Sequence, residues 1–125
     1  MMDRRVKDTV MFIVAHFHEP IERTALAEIA GLSPSRFSHL FKIQTGTTPL
    51  RMVKSLRIQR AKELLLNPRL MVKQIAVRVG ANDESHFVRD FESATGMSPI
   101  LWRRAHCDDP DDPVAVGSAA HSGNR

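Results

Sequence analysis

The sequence predicts an all-α protein of about seven helices, in which a long central helix joins two copies of a helix-turn-helix motif. Three observations lead to this fold class. Residues 49–67 contain no glycine, no interior proline and mostly strong helix formers. A helix-glycine-helix pattern occurs on each side of this stretch, and most landmarks of the first copy recur in the second at a constant offset. Residues 3–17 repeat their apolar side chains at helical spacing.

Length and composition bound the architecture. The chain has 125 residues, 42% of them hydrophobic, which suffices for one compact unit or two very small ones. No apolar run is long enough to cross a membrane. Residues 10–15 follow a basic start, as in a signal peptide, but they are few and lack a small-residue cleavage site, so we assign them to a helix. A single cysteine, Cys107, cannot form an internal disulfide and fits a reducing cytoplasm.

The charge of the chain is unevenly spread around a formal net value of +4. Residues 1–105 hold 17 Lys/Arg and 10 Asp/Glu, a net charge of +7. Residues 106–125 hold one Arg and four Asp, a net charge of −3. The basic part therefore predicts a polyanionic partner.

The first element is an amphipathic helix over residues 3–17. Its apolar face is predicted to hold Val6, Val10, Ile13, Val14 and Phe17. Three residues at its C-terminal end are of metal-ligating type, and Pro20 stops the element after them. They are His16, His18 and Glu19. A solvated helix end explains these three residues better than a metal site, because a His-x-His pair alone is a weak signal.

The first helix-turn-helix copy follows. A short helix beginning near Leu26 ends at Gly31, a residue that suits a left-handed cap. Ser33 is the predicted N-cap of a second helix, with Pro34 at its first position. That helix runs to about Thr45. Two helices joined by so tight a glycine turn are typical of the motif.

The central helix has Thr48 as its predicted N-cap and ends by Asn67, ahead of Pro68. Its apolar residues form two stripes that are rotated from one another. A helix that changes its apolar face in this way is expected to pack on two different bodies. The first stripe holds Leu50, Val53 and Leu56, and the second holds Ile58, Ala61, Leu64 and Leu65.

The second helix-turn-helix copy repeats the first. Gly80 matches Gly31, and Phe87 matches Phe37 at an offset greater by one, because the second turn is one residue longer. Asn82 is the predicted N-cap of its second helix. A last short helix starts at Ser98-Pro99 and carries Trp102, for which a core anchor is the better interpretation and a ligand-stacking residue the alternative.

The end of the chain changes character at His106. Residues 106–125 are rich in Asp, Pro, Gly and Ser, cannot bury a face and are expected to form an acidic disordered tail. We expect residues 1–105 to form the domain, with a first module over 5–48, the connecting helix over 49–67 and a second module over 68–105. His106, Cys107 and the aspartates have metal-ligating types but no rigid frame, so no metal site is expected.

Over roughly residues 5–104, the sequence resembles the DNA-binding domain of the AraC/XylS family of transcription regulators. The first half carries Leu26-Ala27-x-x-Ala30-Gly31-Leu32-Ser33 with Phe37 and Phe41, then Arg57-x-x-x-Ala61-x-x-Leu64-Leu65. The second half carries Ile75-Ala76-x-x-Val79-Gly80, Asp83-x-Ser85-x-Phe87-x-Arg89-x-Phe91 and Gly96-x-Ser98-Pro99-x-x-Trp102-Arg103. The resemblance implies seven helices in two helix-turn-helix subdomains, each placing one recognition helix in a DNA major groove.

The candidate DNA-binding residues are side chains of the two recognition helices that we expect to be free of the core. They are Ser35, Arg36, Ser38, His39 and Lys42 in the first copy, and Glu84, Ser85, His86 and Arg89 in the second. By motif position, the resemblance assigns the family's base-facing roles to all of these except Arg36 and Lys42. Among them, Arg89 suits a guanine and Glu84 suits cytosine N4, whereas serines and histidines are less selective.

Further cations are candidates for phosphate contacts or for structural roles, which the sequence does not separate. They are Arg51, Lys54, Arg57, Arg60 and Lys73. The predicted function is a sequence-specific DNA-binding transcription regulator in the bacterial cytoplasm, at the nucleoid. It is expected to act without membrane contact, either as a stand-alone monomeric regulator or as the DNA-binding part of a longer one, with RNA polymerase as a further candidate partner.

An alternative is a protein-interaction module without specific DNA binding, which Glu84, Asp90 and Glu92 motivate. No paired acid/base constellation, glycine-rich phosphate loop or credible metal set is visible. We therefore expect neither an enzyme nor a cofactor.

Overall fold

The computed structural model describes residues 2–107, and within this range it contains seven α-helices and no strand. The prediction of an all-α fold with seven helices is confirmed. None of the helices in the described range is long and apolar enough to span a membrane. The helices are α1 (Arg4–His16), α2 (Arg23–Ala30), α3 (Pro34–Thr45), α4 (Pro49–Leu65), α5 (Val72–Arg78), α6 (Glu84–Thr95) and α7 (Pro99–His106).

The chain divides into two compact units within α4, between Arg57 and Ile58. The first unit contains α1, α2, α3 and the N-terminal part of α4. The second unit contains the C-terminal part of α4 with α5, α6 and α7. α7 extends to His106, whose ring stacks on Trp102 with centroids 4.0 Å apart. The remainder of the predicted acidic tail, residues 108–125, lies outside the described residues.

The core of the first unit is built on two phenylalanines of α3, Phe37 and Phe41, whose side chains are fully buried. The prediction for α1 holds for most of its apolar face, but it is wrong for Val14, which is 53% exposed. Thr9, which was not predicted to lie on this face, is fully buried, and its hydroxyl donates to the Val6 carbonyl at 2.7 Å. The buried members of this core are Val6, Ile13, Leu26, Ala27, Ala30, Phe37, Phe41 and Val53.

The core of the second unit is built in the same way on Phe87 and Phe91 of α6. Trp102 packs edge-on against Phe91, with ring centroids 6.2 Å apart and an interplanar angle of 85°. This geometry is favourable for aromatic pairs and agrees with the core-anchor interpretation. The buried members of this core are Ile58, Ala61, Leu65, Leu70, Val72, Ile75, Ala76, Val79, Phe87 and Phe91.

The two apolar stripes of α4 belong to two different cores, as the rotated pattern predicted. Val53 is buried in the first core and Leu56 packs against it. All four residues of the second stripe belong to the second core or pack against it. The prediction is wrong for Leu50, which is 62% exposed. Thr48 caps the helix as expected, since its Oγ1 accepts from the N–H of Arg51 at 3.2 Å.

The turn of the first copy depends on Gly31. Its φ of +72° lies in the left-handed region, where a side chain would be strained, and no neighbouring atom crowds the position. Directly after it, the N–H of Leu32 reaches back to the carbonyl oxygen of Ala27 at 3.0 Å. This bond is the long-range one of a Schellman motif, and it turns the chain sharply from α2 into α3.

The second turn repeats this geometry but ends in a different cap. Gly80 has a φ of +95°, and the N–H of Ala81 bonds the Ala76 carbonyl at 2.9 Å, which is the counterpart of the bond from Leu32. The prediction that Asn82 caps α6 is wrong. Asp83 is the N-cap, and its Oδ1 accepts from the N–H of Ser85 at 2.8 Å. The extra residue of this turn moves the cap one position further along the chain.

A threonine closes the far end of each recognition helix. Thr45 Oγ1 lies 2.8 Å from the Phe41 carbonyl oxygen and accepts from the N–H of Thr47 at 3.3 Å. Thr95 makes the same two contacts at the end of α6, with Phe91 at 2.9 Å and with Met97 at 3.2 Å. Each hydroxyl thus satisfies a carbonyl of the last turn and an amide of the following loop. We call this arrangement the threonine bracket.

Candidate nucleic-acid interface

The outer face of α3 in the first unit collects most of the predicted residues. Ser33 caps the helix, its Oγ accepting from the N–H of Arg36 at 3.3 Å, and Pro34 occupies the first turn. Because Phe37 and Phe41 are buried, the helix cannot rotate about its axis without exposing them. The opposite face is therefore presented to solvent. The predicted residues that are exposed there are Ser35, Arg36, His39 and Lys42.

Ser38 corrects the prediction that its side chain is free of the core. Its Oγ is buried and has no hydrogen-bond partner among the described residues. Phe37 and Phe41 turn this flank of α3 inward, and Ser38 lines an apolar groove that also includes Leu26 and Val53. The matching residue of the second copy, Val88, packs against the second core. A buried hydroxyl cannot reach a base edge in this conformation.

The outer face of α6 presents all of its predicted residues. Asp83 fixes the start of the helix, and Phe87 and Phe91 hold its inner face in the second core. The exposed residues lie in the first turn and one turn further on, where a recognition helix approaches bases. They are Glu84, Ser85, His86 and Arg89.

The two recognition helices differ in charge. α3 contains Arg36 and Lys42 and no acidic residue, a net charge of +2 with His neutral. α6 contains Arg89 together with Glu84, Asp90 and Glu92, a net charge of −2. A polyanion is therefore attracted by the first of these helices and not by the second as a whole.

Arg5 lies beside the outer face of α3, although it was not among the candidate residues predicted from the sequence. It lines one cleft with residues that α3 and the preceding turn supply: Leu32, Ser35, Arg36, His39 and Leu40. The basic start of the chain was the available signal, but nothing in the pattern indicates that the start of α1 lies beside α3. The fold brings them together because α1 packs on α3 in the first core.

Asp3 orients the Arg5 side chain. Nε of Arg5 donates to Asp3 Oδ1 at 3.2 Å and Nη2 donates to Oδ2 at 3.1 Å, while Oδ1 also caps α1 by accepting from the Arg5 N–H at 2.8 Å. The hydrogen bond from the Arg5 side chain lowers the pKa of Asp3 below its usual value. The same bond raises the pKa of Arg5. Both groups are therefore charged at neutral pH.

Arg57, a candidate phosphate contact, has a structural role in the first unit. Its Nε donates to the Phe17 carbonyl at 2.7 Å and its Nη2 to the Glu19 carbonyl at 3.0 Å. These carbonyls lie just beyond the C-terminal end of α1, where backbone acceptors lack helical partners. Burial lowers the pKa of the guanidinium. Because two of its donors hold backbone carbonyls and its side chain is half-buried, unlike the other phosphate candidates, we assign Arg57 to the structural role.

Arg103 makes the equivalent clamp in the second unit. Its Nε donates to the Leu65 carbonyl at 2.9 Å and its Nη2 to the Asn67 carbonyl at 3.1 Å. The two acceptors have the same spacing in the sequence as Phe17 and Glu19. The repeat thus includes these arginines. Arg57 links α4 to the C-terminal end of α1, and Arg103 links α7 to the C-terminal end of α4.

The remaining phosphate candidates are exposed. Arg60 is paired with Glu63, Nη1 to Oε1 at 2.7 Å, on the surface of α4. Such an exposed pair is weak and can exchange its partner for a phosphate. The candidates without an ion pair among residues 2–107 are Arg51, Lys54 and Lys73.

The histidines after α1 converge on one carboxylate. His16 Nδ1 lies 3.2 Å and His18 Nε2 lies 3.5 Å from the same oxygen of Glu19. The His16 ring also stacks on Phe12, with centroids 4.3 Å apart. No group of three His, Cys, Asp or Glu side chains within residues 2–107 has an arrangement that could hold a metal ion.

Comparison with known proteins gives relatives that are regulators. A family model described as a helix-turn-helix domain matches residues 26–105. The arabinose operon regulatory protein of Escherichia coli K12 is 36% identical over 116 residues, which are 92% of this chain and 39% of that protein. YdeC of Bacillus subtilis, an uncharacterized HTH-type transcriptional regulator, is 33% identical over 80% of this chain and 34% of its own. The chain thus spans less than half the length of these relatives.

Solved structures share the fold. The C-terminal domain of AraT, a response regulator from Geobacillus stearothermophilus, is similar with a TM-score of 0.82 and 28% identity, covering 89% of this chain and 93% of that one. The DNA-binding domain of AdpA, solved in complex with a target DNA, has a TM-score of 0.75 at 23% identity, covering 96% and 97%. The duplicated helix-turn-helix geometry, the matched family model and these regulators lead to one conclusion: the chain belongs to the AraC/XylS family of helix-turn-helix transcription regulators.

Proposed function

We propose that this chain is a sequence-specific DNA-binding transcription regulator that inserts α3 and α6 into successive major grooves. One observation supports this most directly. Each unit buries a phenylalanine pair on one side of its second helix and leaves the polar side exposed from the first turn onward. A major groove accepts an α-helix presented in this way, with its N-terminal residues toward the bases. The role is binding, and no catalytic step or cofactor is part of it.

The base-reading roles follow from donor and acceptor chemistry. Arg89 is exposed on α6 and has no ion pair within residues 2–107, so its guanidinium is free to bond O6 and N7 of a guanine. Glu84, in the first turn, is an acceptor for cytosine N4. The remaining exposed residues of the two faces supply less selective contacts: Ser35, Arg36, His39, Lys42, Ser85 and His86. Ser38 is left out because its hydroxyl is buried.

The phosphate-contact roles are assigned to the exposed cations Arg51, Lys54, Arg60 and Lys73. Arg57 is left out because its side chain is half-buried and its guanidinium is bonded to two carbonyls of the first unit. Contacts of this kind position a protein on the duplex without reading sequence. They also release condensed counterions, so affinity falls as salt rises.

Engagement of successive grooves is proposed because each unit presents one helix of its own with an exposed polar face. Successive major grooves on one face of B-DNA are about 34 Å apart, so each groove would take one recognition helix.

The alternative function is a protein-interaction module, and the net charge of −2 on α6 is the observation that favours it. The two functions differ in their response to salt. Phosphate contacts predict a log–log slope of about −0.9 for each contact, whereas a polar protein interface predicts no comparable dependence on DNA counterions. A flat response of duplex binding between about 50 and 200 mM salt would favour the alternative.

The experiment that tests the proposed readout compares Arg89→Ala with Lys54→Ala on a duplex selected from a random pool and on random DNA. Arg89→Ala should cost roughly 1–3 kcal/mol on the selected site and relax selectivity at one base position. Lys54→Ala should weaken both duplexes alike. Equal losses of the two variants on both duplexes would remove Arg89 from the readout role.

The proposal also includes the setting of this function. The protein is proposed to act in the cytoplasm at the nucleoid, as a monomer, with RNA polymerase as its second partner. The basic net charge of residues 1–105 supports the association with DNA. Analytical ultracentrifugation with and without a selected duplex would test the monomeric state.

A further inference from the structure

The start of α1 departs from the usual charge pattern of a helix. The N-terminus of a helix carries partial positive charge, so acidic residues are favoured there and basic residues are not. α1 has no acidic residue in its first turn, and Arg4, Arg5 and Lys7 are all exposed near it. The carboxylate of the N-cap Asp3 offsets part of this positive charge and bonds Arg5, but the exposed cations at the helix start still outnumber it. The fold offers a reason for one of these cations.

Arg5 is the residue of this group that lines the cleft beside the first recognition helix. Arg36 and His39 line the same cleft, and Ser35 adds a hydroxyl. The cleft thus collects two permanent cations, one imidazole and one hydroxyl, all of which suit an anion with several acceptor oxygens. Asp3, whose carboxylate is bonded to Arg5, is not part of the lining.

Arg5 is held in place and still has donors to offer. A guanidinium has five N–H donors, and Asp3 takes one from Nε and one from Nη2. The N–H groups of Nη1 and the second one of Nη2 are not used by this pair. The Arg5 side chain remains 52% exposed. An arginine fixed by a carboxylate on one edge loses less conformational entropy when its other edge binds a ligand.

We propose that Arg5 is a further DNA-contact residue, which binds a backbone phosphate at the cleft between the start of α1 and the outer face of α3. This inference rests on the proposed function, and it adds a contact from an element outside the helix-turn-helix. Arg36 and His39 line the same cleft, so the phosphate is the one that flanks the bases reached from the first turn of α3. The contact fixes the register of α3 and does not read sequence.

The experiment measures duplex affinity of Arg5→Gln, Arg5→Lys and the wild type between about 50 and 200 mM salt, on a selected duplex and on random DNA. Loss of one phosphate contact should reduce the log–log slope by about 0.9. The deficit of Arg5→Gln should therefore shrink by roughly 3.5-fold across this fourfold range of salt. The deficit should be equal on both duplexes. Arg5→Lys, which keeps the charge, should retain the wild-type slope.

Arg4→Gln is the matched control, because Arg4 is exposed one residue earlier in the same helix and does not line the cleft. It removes the same net charge and should change the slope little. Thermal unfolding of each variant, followed by circular dichroism, checks that the fold is retained.

Several results would overturn the inference. A slope for Arg5→Gln equal to that of Arg4→Gln would show that only overall charge matters. A deficit of Arg5→Gln confined to the selected duplex would assign Arg5 to base reading. In both cases the wild type still binds DNA, so the proposed function stands. A wild type that binds no duplex at any salt would remove the proposed function together with this inference.

Discussion

In the first copy of the motif, a glycine turn, a serine cap and a threonine bracket hold α3. In the second copy, a glycine turn, an aspartate cap and a second threonine bracket hold α6. The hydrogen bond that follows each glycine joins equivalent positions in the two copies, at 3.0 and 2.9 Å. The bonds of the two threonine brackets also join equivalent positions at similar lengths. The two recognition helices nevertheless carry net charges of +2 and −2.

This contrast separates what positions a recognition helix from what the helix can recognise. Capping, the glycine turn and the buried phenylalanines depend on a few residue types at fixed places. The outer face contacts no part of the core, so its charge can change without cost to the fold. The first copy is thus suited to general attraction toward phosphates. The second copy, with its carboxylates, opposes a polyanion except where Arg89 or Glu84 finds a matching base edge.

The largest expected effect tests whether the two cores are equivalent. Phe41 and Phe91 are both fully buried. Phe41→Ala and Phe91→Ala should each reduce the free energy of unfolding of their unit by about 3–5 kcal/mol, because each loses apolar burial and leaves a cavity. Urea unfolding followed by circular dichroism checks both variants. Trp102, the one tryptophan of the chain, packs on Phe91 and reports on the second unit by fluorescence.

The comparison would break if one variant were clearly less damaging than the other. A loss below about 1 kcal/mol for either phenylalanine would show that its surroundings collapse into the cavity. The two cores would then be alike in composition but not in packing.

An intermediate effect is expected for the arginine clamps. Arg57→Gln and Arg103→Gln should each cost roughly 1–3 kcal/mol of unfolding free energy, because each leaves backbone acceptors without their charged donor. Arg57→Lys should not restore stability, since an ammonium cannot reproduce the two-pronged bond to Phe17 and Glu19. Urea unfolding followed by circular dichroism measures these differences as well.

Arg60→Gln serves as the control for the clamps. Its pair with Glu63 is exposed, so the change in unfolding free energy should stay within about 0.5 kcal/mol. Retention of full stability by Arg57→Gln would mean that water replaces the guanidinium at these carbonyls, and would reopen a phosphate role for Arg57.

The smallest effect sharpens the comparison at the caps. Ser33→Ala and Asp83→Ala should each lower the free energy of unfolding by about 1 kcal/mol in thermal or urea unfolding, because each removes the acceptor of a first-turn N–H. Asp83→Asn should retain most of the stability, since an amide oxygen also caps. Asn82→Ala is the control, and a loss equal to that of Asp83→Ala would restore Asn82 as the cap in solution.

Much of the fold could be predicted because its determinants are local. Glycine, proline and capping residues mark helix ends, and the rotated stripes of α4 indicated two cores before any contact was known. Local signals failed where two neighbouring residues have the same capping chemistry, as at Asn82 and Asp83. They also failed where an apolar side chain lies at the edge of a core, as at Val14 and Leu50, which are exposed.

The site was less predictable because it depends on rotation and on long-range packing. The sequence predicted that the Ser38 side chain is free of the core, but Ser38 directly follows the buried Phe37, and only packing decides on which side its hydroxyl lies. Arg57 and Lys54 look alike in sequence, yet Arg57 reaches carbonyls that are distant from it in the chain, those of Phe17 and Glu19. The Arg5 contact that we propose could not be predicted from the sequence, because the position of Arg5 beside α3 results from the tertiary packing of α1.

The threonine brackets have a consequence for the thermodynamics of DNA binding. Each recognition helix is fixed at its start by a cap and at its end by a hydroxyl that bonds both the last turn and the following loop. A segment that is already ordered loses little conformational entropy when it docks. When a helix folds on binding, its folding adds a heat-capacity change to that of the interface. When the helix is already ordered, the heat-capacity change comes only from the surface buried against the groove. Within each unit, the heat capacity of association thus becomes a measure of contact area rather than of helix formation.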